Sequence, residues 1–170
     1  MKTYVISGGT GSGKTATINA LKKAGCNITE EAARQILESM GKTPHEVERD
    51  FLQRKIFNMQ VKQFSETDKN LNLVFFDRGF GDTLCFYLFD GLEIPKDLLE
   101  KAKKVRYDKI FFLEPLKVYR KDNIRCEDED EARRIGDCAF KVYSEILGYE
   151  VIKVPFMSVK DRVRFIKERS

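Results

Sequence analysis

The stretch that decides the fold is SGGTGSGKTATINAL, Ser7–Leu21. Gly8-Gly9-Thr10-Gly11-Ser12-Gly13-Lys14-Thr15 fills the spacing G-x-x-x-x-G-K-[ST] and stands between a short apolar run, Thr3–Ser7, and a helical pattern closed by Gly25. A glycine-rich turn in that position lets successive backbone N–H groups converge on phosphate oxygens, with the following helix N-terminus adding its positive end. Gly9, Thr10, Gly11, Ser12 and Gly13 form the cradle. Lys14 supplies a mobile cation for β- and γ-phosphates, and the Thr15 hydroxyl is placed to ligate Mg²⁺. A triphosphate and a metal follow from this loop alone; what happens to the phosphate does not.

Outward from the loop, apolar runs alternate with helical patterns. Asn27–Thr29, Leu73–Phe76, Lys109–Leu113 and Glu150–Val154 read as further strands. Between them, Glu30–Gly41, a long segment to about Asp68, Asp82–Phe89, Lys96–Lys104 and Glu131–Leu147 carry helical spacing. Thr43-Pro44-His45-Glu46 reads as a cap, a first-turn proline and a capping-box glutamate that open the long helix. This order predicts an α/β fold: a three-layer P-loop architecture with a five-stranded parallel sheet, helices on both faces and ligands at the carboxyl ends of the strands. One domain over residues 1–170 is expected, with a lid segment at about 115–131.

The bulk composition excludes more than it selects. With 31 basic and 27 acidic residues spread along the chain, the net charge of +4 gives no footprint for nucleic acid or a membrane surface. Four cysteines without a C-x-x-C pair, and a single histidine, His45, leave zinc almost no ligand set. No signal-type segment opens the sequence, and no apolar run approaches the ~20 residues that span a bilayer. A cytoplasmic protein with reduced thiols is expected.

The reaction must be decided by acids and arginines. Asp77 ends the apolar run LVFF, where a carboxylate can hold Mg²⁺; a turn aspartate capping the next helix is the other reading. Arg78 and Asp82, in DRGFGD, form either a phosphate- or carboxylate-gripping pair at the cleft mouth or a structural salt bridge. Glu30, Glu31 and Arg34 open the second helix. Acids there complement a helix dipole. If the second strand neighbours the phosphate-loop strand, one of them instead faces the γ-phosphate as a general base. The charged connection from Glu114 to Arg134 carries Arg120, Lys121, Arg125, Arg133 and Arg134, from which a closing segment could offer cations to a transferring phosphoryl group. Arg120 is assigned to nucleotide binding, Arg125 to catalysis, and Arg34 and Asp82 to substrate binding.

The phosphate loop, Glu31-Ala32-Ala33-Arg34, Phe76-Asp77-Arg78-Gly79 with Asp82, Asp122 and Arg125, and Gly148-Tyr149-Glu150 before Val154-Pro155 and Val159–Phe165 together resemble a family of small P-loop proteins. These are the predicted AAA-type ATPases similar to the ribosylnicotinamide kinase domain of a bacterial NAD regulator. The resemblance covers essentially the whole chain. It implies a fold related to nucleoside and nucleotide kinases, ATP and Mg²⁺ as ligands, Glu31 and Asp77 as the acidic pair, and Arg78 and Arg125 as the cations. ATP is favoured over GTP because no N-K-x-D element is present. The leading expectation is a kinase passing the γ-phosphoryl of ATP to a nucleoside, nucleotide or related metabolite. An ATP hydrolase or switch and a nucleotide sensor without an acceptor are the alternatives.

Overall fold

The computed structural model describes residues 1–115 and 129–170. Five strands, β1 (Lys2–Ser7), β2 (Asn27–Thr29), β3 (Leu73–Asp77), β4 (Lys109–Leu113) and β5 (Val151–Val154), form one parallel sheet in the order β2-β3-β1-β4-β5. Among the described residues seven α-helices connect and cover them: α1 (Lys14–Lys23), α2 (Ala32–Met40), α3 (Arg49–Glu66), α4 (Phe80–Phe89), α5 (Lys96–Lys104), α6 (Glu129–Lys141) and α7 (Val159–Glu168).

Period-two alternation along the strands divides the core. Val5, Val74, Phe76, Ile110 and Phe112 face a layer that includes Phe57, Phe80, Leu84, Tyr107 and Tyr143. Tyr4, Ile6, Phe75, Phe111 and Leu113 face the other way, onto Ile18 and Leu21 of α1 and Ile166 of α7. Because both faces are covered, β1, β3 and β4 read as nearly continuous apolar runs, as buried parallel strands do.

Three expectations need correction. β2 does not neighbour β1: β3 lies between them, since the four apolar residues of β3 suit the interior and the three-residue β2, half-exposed, suits an edge. The Thr43–Glu46 capping box is real but closes its own 3₁₀ turn, Pro44–Glu46. α3 starts afterwards on its own cap, Glu48, whose carboxylate accepts from the N–H groups of Asp50 and Phe51. The last predicted core-facing helix is not α-helical throughout, for Val142–Ile146 forms a π-helical turn. Ile135, Ala139, Tyr143 and Leu147 all remain buried, because a wider turn accommodates their strict four-residue spacing.

Candidate active site

The phosphate loop joins β1 to α1 with Gly11 and Gly13 at φ 76° and 83°, left-handed values that turn the chain without a Cβ clash. Helix α6 lies against it from outside. A Cβ on Gly9 would come within 2.9 Å of the Ala132 carbonyl oxygen and one on Gly136 within 3.1 Å of the Gly9 Cα, so the two backbones meet where a side chain on either would force a shift. Lys14 is folded back into the loop, its Nζ donating to the carbonyls of Gly8 at 2.6 Å and Gly9 at 2.7 Å. Burial and the nearby Arg78 charge push its pKa down to about 7, against the opposing pull of Asp82, Glu31 and Asp77. Thr15 stays exposed at the start of α1.

β3 carries the next group. Asp77 lies opposite Ile6 in the ladder, at the strand end beside the loop. Burial, and then the Glu31 charge, raise its pKa to about 6. Arg78 follows at φ 68°, the one non-glycine residue with positive φ among those described, while its N–H still donates to the Ile6 carbonyl at 3.2 Å. Such a conformation costs of order 1 kcal/mol or more and persists where surrounding contacts over-determine it.

Those contacts are ionic. Arg78 Nε donates to Glu31 Oε1 at 2.7 Å, and its Nη1 lies 3.5 Å from Asp82 Oδ1. Glu31 holds the cap position of α2 yet its side chain makes no capping bond; it reaches Arg78 instead. Burial alone would raise its pKa, but the charge and hydrogen bond of Arg78, then Lys14 and Arg34, bring it below the ordinary glutamate value. Burial likewise opposes the Arg78 charge, and Glu31, Asp82 and Asp77 overcome it. Glu30 points elsewhere, pairing with Lys22 at the surface at 3.5 Å. Arg34 is exposed and touches Glu31 from behind at 3.8 Å.

Asp82, assigned from sequence to substrate, is almost fully buried, and the protein itself occupies both its oxygens. Oδ1 accepts from Ser7 Oγ at 2.8 Å; Oδ2 accepts from the Gly79 N–H at 3.0 Å and from Tyr143 Oη at 2.7 Å. It ties the end of β1, the turn after β3 and the π-helical turn to one another, and it steadies Arg78. The structural salt bridge between Arg78 and Asp82 is present, with Glu31 as the closer partner of Arg78.

Behind this cluster lie two cavities of about 110 and 160 Å³ that share Ala33, Gln53, Ile56 and Phe86. The smaller is lined by Glu31, Arg78, Asp82, Gln60 and Thr83; the larger runs on between Leu37, Leu52, Phe89 and Ile135 towards His45, Arg49 and Glu131. Gln60 is engaged on both sides, donating to the Gly79 carbonyl at 3.2 Å and accepting from Thr83 Oγ1 at 2.9 Å. Gln53 is not: among the described residues its Oε1, buried in the shared wall, finds no partner. Sequence reasoning missed it, because a glutamine within an amphipathic helix carries no signal until the cavity is seen. Arg120 and Arg125, with Asp122 and all but the ends of the expected lid, lie outside the described residues. Among the described residues no helix is long and apolar enough to cross a membrane. No cluster of three or more His, Cys, Asp or Glu side chains there could hold a metal.

A family model described as AAA domain matches residues 3–162. The chain belongs to this AAA domain family. No curated protein is matched by sequence. Among solved structures, the AAA domain is similar to the NadR protein in complex with NR, with a TM-score of 0.73 and 19% identity over 98% of this chain and 51% of that one. It thus spans about half the length of NadR. It is also similar to deoxyadenosine kinase from M. mycoides with bound dATP (TM-score 0.67, 17% identity, 99% and 98% of the two chains). A third similar structure is thymidylate kinase from Candida albicans (TM-score 0.67, 14% identity, 99% and 90%). At these identities the likeness places the AAA domain in the kinase-type P-loop fold.

Proposed function

We propose that this AAA domain is an ATP-dependent kinase that transfers the γ-phosphoryl group to a hydroxyl of a small, uncharged, nucleoside-like acceptor. The carrying observation is the Glu31–Arg78 pair at the inner end of a largely apolar cavity, on the edge of the sheet that holds the phosphate loop. Kinases among the similar structures support the direction of the reading.

The roles follow from chemistry. The loop amides and Lys14 hold the β- and γ-phosphates, Lys14 exchanging the Gly8 and Gly9 carbonyls for phosphate oxygens. Thr15 and Asp77 offer one hydroxyl and one carboxylate, hard oxygen donors of the kind Mg²⁺ takes one or two of while keeping waters and phosphate oxygens. Bound there, Mg²⁺ would neutralise charge on the phosphates and on Asp77. Glu31, held ionised by Arg78, accepts the proton of the acceptor hydroxyl as its oxygen bonds to the γ-phosphorus. The bond from that phosphorus to the β–γ bridging oxygen breaks and ADP leaves. Arg78 faces the charge that develops on the transferring group.

An uncharged acceptor is favoured over a phosphate-bearing one because two carboxylates, Glu31 and Asp82, face one guanidinium in the smaller cavity. The unpartnered Gln53 oxygen further asks for an N–H donor on the body of the acceptor, as amides and nucleobases provide. We place the activity in the cytoplasm, with no nucleic acid or membrane partner.

The test is a screen with labelled ATP, Mg²⁺ and a panel of nucleosides, nucleotides and carboxamide-bearing metabolites. Labelled nucleosides or nucleoside-like products support the reading. Steady phosphate release with no labelled acceptor points to the hydrolase alternative and sinks the kinase.

A further inference from the structure

Helix α7 puts one charged side chain into the interior. Arg162 is only 1% exposed, the bulkiest of the fully buried side chains. Its Nη1 donates to the Ser12 carbonyl inside the phosphate loop and its Nη2 to the Glu114 carbonyl, just beyond β4, at 3.3 Å. Among the described residues its Nε is buried with no partner and no carboxylate lies within ion-pair distance; the Glu114 carboxylate favours the charge only from farther off, and burial outweighs it. The guanidinium nonetheless stays protonated in any protein environment. A buried cation held by two neutral carbonyls and one more distant carboxylate is only partly compensated, and such charges persist where something else helps to balance them.

The loop offers the candidate counter-charge. Ser12 is held from two sides, its Oγ by Lys14 Nζ at 3.4 Å and its carbonyl by Arg162. Phosphate competes for the three N–H donors of Lys14, so its hold on the loop weakens when nucleotide enters. Arg162 is a tether for which phosphate does not compete. It keeps the Ser12 carbonyl turned away from the cradle, which leaves the neighbouring N–H groups turned towards it, and its charge sits directly behind the anion.

We propose that Arg162 is a positioning residue for the donor's phosphates: it fixes the loop from behind and supplies a buried positive charge that the bound polyphosphate balances. This rests on the nucleotide-binding part of the proposed function and is independent of the acceptor.

The experiment is calorimetric titration of the full chain and of R162K and R162M, each checked for folding by circular dichroism, with Mg·ADP and with Mg·tripolyphosphate, which has no base or sugar. The expected result is a loss of about tenfold or more in affinity for R162M, similar for both probes, and a smaller loss for R162K, which keeps the charge without the fork. An R162M protein that is less stable but binds both probes as the wild type does would make Arg162 a structural tie and overturn the proposal. So would a loss confined to ADP. Should R162M not fold, R162K decides, and unchanged affinity there overturns the proposal equally. A wild type that binds neither probe removes the nucleotide reading itself, and this proposal with it.

Discussion

Arg78 Nε and Glu31 Oε1 meet at 2.7 Å although 47 positions separate them in the chain, and this contact joins the smaller cavity to the strand that ends in Asp77. Neither residue holds its place alone: Arg78 sits at positive φ, and Glu31 forgoes its helix cap to reach it.

Replacing Glu31 by Gln should lower turnover by about 10²–10⁴-fold, the range of general-base contributions, while ADP affinity stays within about twofold. Stability gives a second reading. The folded pKa of Glu31 lies below its ordinary value of 4.5, so its stabilisation is complete above that value and disappears as pH falls through the folded pKa. Urea titrations at a series of pH values should therefore show wild type more stable than E31Q near neutrality and the gap closing in acid. A gap that persists undiminished at the acid end refutes the ion-pair assignment.

Tyr143→Phe removes one of four contacts on Asp82 without opening a cavity. Hydrogen bonds to charged groups contribute about 1.5–3 kcal/mol, so thermal or urea unfolding should show a loss near the lower end of that range. Asp82→Ala should cost more, since Ser7, Tyr143, Arg78 and the Gly79 N–H all lose a partner. Equal stability of Y143F and wild type would mean that the hydroxyl has a water partner to fall back on.

Lys14→Ala should leave the fold intact and reduce turnover by about two orders of magnitude or more, as expected for a cation aimed at the transferring group. Circular dichroism and a radiolabel assay check the two halves. Unchanged turnover in a folded variant means that the loop has been misread.

Gln53→Leu tests the acceptor side alone. With the amide gone, an acceptor that donates an N–H to Oε1 should show a KM raised about tenfold, one hydrogen bond's worth in a dry site, with the KM for ATP unchanged. A KM for the acceptor that stays the same, or falls, removes Gln53 from recognition.

Much of this was legible in the sequence, for physical reasons. Buried parallel strands are written as contiguous apolar runs, so β4 falls where the letters place it and β1, β3 and β5 shift by one residue at one end, while the half-exposed β2 also keeps its expected bounds. The phosphate loop is a local device and needs no tertiary information. Adjacency is different: nothing local to Asn27–Thr29 says which strand it pairs with, and β3 rather than β1 takes that place. Thr43–Glu46 satisfies its own turn so well that local rules could not reveal a new helix starting three residues on. Gln53 and Arg162 were invisible because their meaning lies in what they fail to find, an N–H and a counter-ion, and an absence of partners exists only in three dimensions.

The contact of Gly9 with Gly136 has a consequence for heredity. A descendant sequence could keep every letter of the phosphate-loop motif and acquire an alanine at position 136 of α6. The motif as normally written would still match, yet loop and helix would have to part by a few tenths of an ångström. The shape of the loop in this chain thus depends in part on a glycine more than a hundred positions downstream.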